Sequence, residues 1–257
     1  MSNLPAFHIV IPARFASQRF PQKMLANLAG KPVVQWVYEL ALKAGAESVT
    51  IATDHEDIFK AAEEFGADVV MTRTDHENGT ERLAEVATIK GWSGDEIVVN
   101  VQGDEPLLPI GLIHNAVQAL ADDKESEMAT VACPIHREED IFNPSVVKVV
   151  CDAKGRALYF SRATMPWDRD GFAQEAKQIA EDYPALRHVG LYVYRVSLLG
   201  RYAQMPMSPL EKWEKLEQLR FLHQGIKVQV ALTKELPPHG VDTPEDLEAL
   251  TKKLSVQ

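Results

Sequence analysis

Short apolar runs alternate with amphipathic segments through the first half of the chain. Buried strands are predicted where β-branched residues cluster, at 7–11, 48–52, 68–71 and 96–101. Between them, apolar residues recur at helical spacing and predict helices at 31–44, 56–65 and 80–89. An alternation of this kind predicts an α/β fold in which helices flank a mostly parallel, twisted sheet.

The second half of the chain has a less regular, α+β pattern. The turn sequence 152–155 lies between two apolar runs, 146–150 and 157–160, and predicts an antiparallel hairpin. Further strands are predicted at 188–196 and 227–232. No stretch rich in glycine, serine or proline marks a linker, so the whole chain, 1–257, is predicted to form a single domain.

Two helices are predicted near the end of the chain. The last one is capped by Thr243-Pro244-Glu245 and runs to about residue 254. The other spans 209–222, and its apolar side consists of Leu210, Trp213, Leu216, Leu219 and either Phe221 or Leu222. We expect the face with Trp213 and Leu216 to lie in the core or against a second copy of the chain.

Composition narrows the class of protein. The formal net charge is −10, and no apolar run approaches the roughly 18 residues that a membrane span requires. This charge argues against a nucleic-acid partner, although a few gathered basic residues could still hold an anionic small molecule. Cys133 and Cys151 follow no metal-binding spacing and predict small buried side chains in a reducing compartment, the cytoplasm. The first residues lack the pattern of a signal peptide.

Candidate chemistry lies where the predicted strands end, because ligands of such sheets bind at the carboxyl ends of the strands. After the first strand, a segment without strong periodicity carries Arg14, Arg19 and Lys23. These cations suit a polyphosphate, whose oxygens accept charge-assisted hydrogen bonds, but a solvated basic loop explains them equally well. The glycine-rich phosphate fingerprints are absent, which disfavours a dinucleotide-dependent oxidoreductase.

Polar and acidic residues follow the other predicted strands. Asn78-Gly79-Thr80 suits either close contact with a base or ribose, or simple helix capping. The acidic pair Asp104-Glu105 follows the fourth strand and a glycine, an arrangement typical of a Mg²⁺ site, and Asp242 is a second strand-end carboxylate near the C-terminus. An ordinary turn and a helix cap are the respective alternatives. Together, the strand-end residues indicate phosphoryl or nucleotidyl transfer.

Several sequence blocks occur in collinear order along nearly the whole chain. They are I-P-A-R-F-A-S-Q-R, A-T-D-H-E, N-G-T-E-R-L-A, V-N-V-Q-G-D-E-P, Y-F-S-R-A, L-R-H-V-G-L-Y, S-P-L-E and G-V-D-T-P-E-D-L. Together they resemble the 3-deoxy-manno-octulosonate cytidylyltransferase (CMP-Kdo synthetase) family. The resemblance implies a Rossmann-like fold of the nucleotide-diphospho-sugar transferase type. It also implies a Mg²⁺-dependent, homodimeric enzyme that transfers CMP from CTP to the sugar acid Kdo for lipopolysaccharide biosynthesis and releases diphosphate.

The resemblance further implies roles for individual residues. The residues implied to bind CTP are Pro12, Ala13, Arg14, Arg19, Lys23, Ala52, Asp54, Arg73, Gly79, Thr80, Arg82 and Asp104. The residues implied to line the sugar pocket are Gln102, Arg162, His188, Tyr192, Glu214 and Gln218. Mg²⁺ would be held by Asp104 and Asp242, which with Arg14 and Lys23 would carry the catalysis. Residues 1–110 would be mainly nucleotide-binding, and 111–257 would bind the sugar and the second subunit.

The chain departs from the family pattern in one loop. Where that pattern reads P-G-K-P-L, this chain has Pro21-Gln22-Lys23-Met24-Leu25, so a glycine and a proline are missing. The acceptor could equally be 8-amino-8-deoxy-Kdo or another acidic sugar. From another class, a catalytically inactive nucleotide-binding module remains an alternative. His188, at the head of an apolar strand, could likewise be a purely structural residue.

Overall fold

The computed structural model describes residues 4–16, 20–173, 179–180, 182–234 and 236–255. Within these residues the strands are β1 (Phe7–Ala13), β2 (Asn27–Leu28), β3 (Lys31–Pro32), β4 (Ser48–Thr53), β5 (Asp68–Met71), β6 (Ile97–Asn100), β7 (Met128–Pro134), β8 (Lys148–Cys151), β9 (Ala157–Ser161), β10 (Leu186–Arg195) and β11 (Val228–Leu232). The helices are α1 (Val33–Leu42), α2 (Glu56–Glu64), α3 (Gly79–Lys90), α4 (Ile110–Asp122), α5 (Glu138–Phe142), α6 (Val196–Tyr202), α7 (Pro209–Glu214), α8 (Gln218–His223) and α9 (Pro244–Leu254).

The chain divides into two compact units. The first unit comprises Met1–Gln118, Leu191–Ala203 and Pro237–Gln257, and the second comprises Ala119–Gly190 and Gln204–Leu236. Strand β10 therefore contributes its first residues to the second unit and its last residues to the first.

In the first unit the strands follow the order β10, β6, β1, β4, β5. Strand β1 is parallel to both neighbours, with Ile9 opposite Val49 of β4 and Val99 of β6. Strand β5 is parallel to β4, and β10 is antiparallel to β6. All seven residues of β1 are buried, which explains its unbroken apolar run, since a parallel sheet is covered on both faces. The predicted fold, a mostly parallel sheet flanked by helices, is confirmed.

The parallel strands of the first unit bring their following residues to one edge of the sheet. Strand β1 ends at Ala13 rather than Ile11, so Pro12 still pairs with Ala52 of β4. Arg14 follows β1, Asp54 follows β4, and 102–104 follow β6. This edge is the place where the sequence predicts the ligand to bind.

In the second unit, β11 is parallel to β7, and β8 is antiparallel to both β9 and the start of β10. The hairpin predicted around residues 152–155 is therefore confirmed. A separate apolar cluster includes Ile135, Ile141 and Phe172. Cys133 and Cys151 are free thiols.

The prediction of one continuous helix at 209–222 is wrong, because the structure has two shorter helices in this region. Lys215 adopts a left-handed conformation with φ 55° and ends α7, and α8 begins at Gln218. Leu216 and Leu219 are buried as expected, but Trp213 is 84% exposed and Leu210 is 38% exposed. Trp213 therefore does not lie in the core of this chain, and a contact with a second copy stays a prediction.

Strand β7 and helix α4 have no counterpart among the predicted elements. Strand β7 is almost entirely buried, yet its sequence, MATVACP, contains small and polar residues. Helix α4 contains Gly111, His114 and Asn115, which weaken a helical pattern. None of the helices in the described part of the chain is long and apolar enough to cross a membrane.

Candidate active site

A cavity of about 360 Å³ opens in the first unit at the carboxyl ends of β1 and β6. Its lining residues are Pro12, Arg14, Ala16, Lys23, Met24, Glu77, Asn78, Gly79, Gln102, Gly103 and Asp104. Six of these lining residues are among those that the sequence implicates in binding CTP or the sugar: Pro12, Arg14, Lys23, Gly79, Gln102 and Asp104. Arg19 lies outside the described residues.

Close packing beside the cavity requires a glycine at position 103. A Cβ atom at Gly103 would lie 2.8 Å from the carbonyl oxygen of Pro12 and 3.0 Å from the sulfur of Met24. Any larger residue would therefore push the β6 loop away from the end of β1. Met24, which stands where the family pattern has proline, is buried and packs against Gly103.

Lys23 lies between two carboxylates that are distant in sequence. Its Nζ is 2.5 Å from Oδ2 of Asp104 and 3.1 Å from Oδ1 of Asp242. Burial by itself lowers the pKa of Lys23, but the charges and hydrogen bonds of the two carboxylates outweigh it and leave the pKa above its usual value. Two acidic groups thus converge on a single cationic position at the cavity.

The backbone explains how Asp104 and Asp242 come together. The N–H of Val241 donates to the carbonyl oxygen of Asp104 at 2.8 Å. A Cβ atom at Gly240 would lie 2.8 Å from the same oxygen, so only glycine permits this approach. Immediately afterwards, Thr243 forms a capping box with Asp246 and starts α9, which fixes the direction of the chain.

Negative charge accumulates beside these two aspartates. Burial, together with the charges of Asp104 and Asp242, raises the pKa of the neighbouring Glu105 to about 7. Among the described residues, however, no group of three or more acidic, histidine or cysteine side chains is placed to hold a metal. The two carboxylates that meet at this position are those of Asp104 and Asp242, which both contact Lys23.

Several residues of the predicted CTP set lie beside the cavity rather than in its lining. Ala13 and Ala52 are buried within β1 and β4. Thr80 is buried with its hydroxyl 3.2 Å from the hydroxyl of Tyr194. Arg73 is exposed and forms an ion pair with Asp75. Arg73 lines a different cavity of the first unit, of about 620 Å³.

Arg82 and Asp54 form a buried ion pair. The Arg82 side chain is 0% exposed, and its Nη2 donates to Oδ2 of Asp54 at 2.8 Å. Its Nη1 donates to the hydroxyl of Thr72. The structure therefore places Arg82 behind the cavity and not in its lining.

Asn78 serves as the N-cap of α3, as the capping alternative predicts. Its side-chain oxygen accepts from the N–H of Glu81 at 2.9 Å, and its Nδ2 donates to the hydroxyl of Tyr202 at 2.9 Å. Asn78 and Gly79 also line the cavity, so capping and contact with a ligand are compatible here.

In the second unit, Arg162 is held by a dense set of contacts. Its backbone N–H donates to Oε2 of Glu214 at 2.9 Å, and its side-chain Nε donates to the backbone carbonyl oxygen of Glu214 at 2.8 Å. The other carboxylate oxygen of Glu214 accepts from the hydroxyl of Ser161. Glu214 thus orients Arg162, a role that the sequence did not suggest.

Lys148 is a second cation in this group and does not figure among the predicted site residues. Its ammonium is fully buried and donates to the carbonyl oxygens of Asn143, Val146 and Arg162 at 2.7–2.9 Å. Burial lowers its pKa. A lysine inside the apolar strand K-V-V-C was the available signal, because a charge in such a strand needs dedicated partners.

The remaining predicted sugar residues lie on β10 and α8. His188 contacts the hydroxyl of Thr130 through Nε2 at 2.9 Å, and its ring packs edge-on against Phe160. Burial lowers the pKa of His188 to about 3, so the ring is neutral. Tyr192 lies opposite Asn100 on β6 within the first unit, and Gln218 is buried at the start of α8.

Comparison with known proteins identifies the family. The model of the cytidylyltransferase family matches residues 8–228. The 3-deoxy-manno-octulosonate cytidylyltransferase of Marinomonas sp. (strain MWYL1) is 73% identical over 257 residues, 99% of this chain and 97% of that protein. The chain belongs to the 3-deoxy-manno-octulosonate cytidylyltransferase family. The family member of Aliivibrio fischeri (strain MJ11) is 55% identical over 250 residues, 97% of this chain and 99% of that protein.

A solved structure of the same family agrees with this assignment. A CMP:2-keto-3-deoxy-manno-octonic acid synthetase complexed with CTP is 40% identical and has a TM-score of 0.86. The match covers 98% of this chain and 99% of that one. A cytidylyltransferase from Leptospira borgpetersenii, 16% identical with a TM-score of 0.62, shares the fold. The family predicted from the collinear sequence blocks is confirmed.

Proposed function

We propose that this chain transfers CMP from CTP to 3-deoxy-D-manno-octulosonate (Kdo), giving CMP-Kdo and diphosphate for lipopolysaccharide biosynthesis. The names of its full-length relatives support this reaction. The observation that carries it is the convergence of Lys23, Asp104 and Asp242 at the edge of a strand-end cavity. Phosphoryl-group chemistry requires a site of this kind, in which charges of both signs are fixed in advance.

In the proposed mechanism the protein positions the reactants and stabilises charge. The anomeric hydroxyl of the sugar attacks the α-phosphorus of CTP in line with the departing diphosphate. Arg14 and Lys23 donate hydrogen bonds to phosphate oxygens and so stabilise the charge that develops on the leaving group. Because little covalent chemistry falls to the protein, orientation and electrostatics supply most of the rate enhancement.

The residues at the cavity fit Mg²⁺. Two carboxylates converge on one cationic position, and Mg²⁺ is commonly bound through one or two carboxylates with substrate phosphates completing its shell. Asp104 and Asp242 would hold the ion. When bound, it would neutralise charge on the diphosphate and lower the pKa of the attacking hydroxyl.

Arg162 is the proposed partner of the Kdo carboxylate. A guanidinium pairs with a carboxylate through two parallel hydrogen bonds, provided that its orientation is fixed. The contacts from Glu214 and Pro144 to its side chain support such a fixed orientation. His188, Tyr192, Glu214, Gln102 and Gln218 complete the proposed set of sugar-pocket residues.

We also propose that the enzyme acts in the cytoplasm as a homodimer built through its second half. The two free cysteines, Cys133 and Cys151, are compatible with a reducing compartment. Trp213 supports the dimer, since a tryptophan exposed to this extent is typical of a contact surface.

The reaction is tested by measuring diphosphate release with Mg²⁺. CTP is compared with UTP, ATP and GTP, and Kdo is compared with 8-amino-8-deoxy-Kdo and sialic acid. We expect release with CTP and Kdo. Activity confined to UTP with a hexose phosphate, or no release with any pair, would show that the proposed reaction is wrong.

The metal ligands are tested by the substitutions Asp104→Asn and Asp242→Asn. Each should lower kcat by about 10²- to 10⁴-fold, because charge stabilisation in the transition state is lost. Each should also weaken the binding of Mn²⁺, followed by electron paramagnetic resonance in the presence of CTP. The exposed Asp95→Asn serves as the control and should change neither quantity. Unchanged Mn²⁺ binding in Asp104→Asn would remove Asp104 from the metal site.

A further inference from the structure

The buried ion pair of Arg82 and Asp54 reaches the loop that follows β1. One oxygen of Asp54, Oδ2, accepts from Arg82, and the other, Oδ1, accepts from the backbone N–H of Phe15 at 3.3 Å. Phe15 directly follows Arg14, which lines the cavity. A single carboxylate therefore connects the interior of α3 to the backbone beside Arg14.

A second contact holds the same loop residue. The ring of Phe15 stacks on the ring of His55, with centroids 3.5 Å apart and an angle of 6° between the planes. His55 is itself fixed, because its side chain caps α2 by accepting from the N–H of Asp57. Phe15 is thus attached to the end of β4 through both its backbone and its side chain.

Arg82 is in turn fixed from behind. Its Nη1 donates to the hydroxyl of Thr72, and that hydroxyl donates to the carbonyl oxygen of Thr53 at 2.9 Å. The N–H of Thr72 donates to the same carbonyl oxygen at 2.8 Å. The guanidinium therefore joins the ends of β4 and β5 and holds Asp54 in one orientation.

The charges of Asp54 and Arg82 also favour a role for this pair in triphosphate binding. An unpaired carboxylate beside a triphosphate site would repel the ligand, and Arg82 compensates that charge from a position that a ligand in the cavity does not reach. A side chain that recognises cytosine through hydrogen bonds would have to direct its N–H donors into the cavity. Nη1 and Nη2 of Arg82 donate instead to Thr72 and Asp54, and its Nε is buried with no hydrogen-bond partner among the described residues.

We propose that Arg82 and Asp54 are positioning residues, which fix the backbone at Phe15 and so hold Arg14 in place for the triphosphate of CTP. In this assignment neither side chain reads the cytosine or the ribose. The inference rests on the proposed function, because it takes the ligand of the cavity to be a nucleoside triphosphate.

The test uses Asp54→Ala, which removes both contacts, and Asp54→Asn, which keeps an acceptor for the Phe15 N–H but removes the charge. Isothermal titration measures the affinity for inorganic triphosphate, and steady-state kinetics measure kcat/KM for CTP and for UTP. We expect the triphosphate affinity and kcat/KM for CTP to fall roughly 10- to 100-fold in Asp54→Ala and less in Asp54→Asn. The ratio of kcat/KM for CTP to that for UTP should stay unchanged in both variants.

The matched control is Asp68→Asn. Asp68 lies at the opposite end of the strands, where it accepts from Lys90 and from the hydroxyl of Thr50. This substitution also breaks an ion pair, so it should lower the melting temperature but leave the triphosphate affinity unchanged. A role of Asp54 in stability alone would give the same pattern as Asp68→Asn, and that result would overturn the proposal.

The remaining outcomes are equally decisive. A fall in the CTP-to-UTP ratio with unchanged triphosphate affinity would make Asp54 a reader of the base and overturn the proposal. If Asp54→Ala does not fold, Asp54→Asn decides between the same two results. Triphosphate binding requires no turnover, so the proposal is judged separately from the transfer of CMP to Kdo.

Discussion

At the scale of single residues, Gln22 accounts for the unusual loop. Its backbone adopts φ 59° and ψ 21°, the left-handed region in which glycine has no steric penalty. The family pattern has glycine at this position, so this chain keeps the backbone geometry but not the residue that suits it. Gln22 is exposed and immediately precedes Lys23, which contacts both aspartates. The loop shape is therefore imposed by the contacts around it.

Gln22→Gly should stabilise the protein. Relief of the left-handed conformation is worth about 1–2 kcal/mol, and the greater flexibility of glycine in the unfolded chain costs about 0.5–1 kcal/mol. The difference corresponds to a rise in melting temperature of about 2 °C in a chain of this size. Calorimetry measures it, and Lys215→Gly is the matched variant, because exposed Lys215 has φ 55°. A lower melting temperature in Gln22→Gly would contradict the left-handed backbone at this residue.

At the scale of elements, hydrophobic periodicity predicted the regular first half well. Strand β5 has the predicted bounds, and β4 and α2 differ by a single residue, because apolar spacing is a local property of the sequence. Strand β7 was not predicted, because its alanine and threonine residues lower its apparent hydrophobicity although the strand is buried. Burial of small residues depends on the neighbouring strands and cannot be seen locally.

The break between α7 and α8 shows a tertiary cause that the local sequence does not contain. Arg220 donates to Glu211 through two hydrogen bonds of 2.7 and 2.8 Å, and both side chains are buried. In a continuous helix, positions nine residues apart lie on opposite faces and about 13 Å apart along the axis. The pair can form only because the helix breaks at Lys215. No glycine or proline marks this position, so periodicity alone predicted one long helix.

The candidate site was also predictable only in part, because some of its contacts join residues that are distant in the sequence. Parallel strands place Arg14 and Asp104 at one edge, which follows from topology. The contact of Lys23 with Asp242 spans 219 positions in the sequence, and no local pattern predicts it. It depends on Gly240, whose lack of a side chain permits the approach to Asp104. The sequence singled out Asp242 only as a strand-end carboxylate, and the resemblance paired it with Asp104; the structure shows how the two come together.

At the scale of the whole molecule, the first unit is assembled from three separate stretches of chain. A fragment of residues 1–110 would carry β1, β4 and β6 but would lack 192–195, which pair with β6. It would also lack Asp242, so the acidic pair would be incomplete. The candidate site is therefore a property of the complete chain, although most of its residues lie in the first half.

The stability of the whole chain should depend on pH through His188. Burial lowers the pKa of this histidine to about 3 in the folded state, whereas an unfolded histidine has a pKa of about 6.5. Below about pH 6.5 the unfolded chain binds a proton that the folded chain excludes. The contribution of His188 is therefore fully present above that pH and is lost progressively as the pH falls toward 3.

His188→Gln should flatten this part of the pH dependence. Between about pH 7 and pH 5, the free energy of unfolding of the native protein should fall by about 2 kcal/mol more than that of the variant. Urea unfolding at both pH values measures the difference, in which contributions from the carboxylates cancel. Thr130→Val is the control, because it removes the hydroxyl that contacts His188 but leaves the imidazole ring to titrate. The pH dependence of Thr130→Val should match that of the native protein. An equally steep dependence in His188→Gln would mean that His188 does not have the lowered pKa on which this prediction rests.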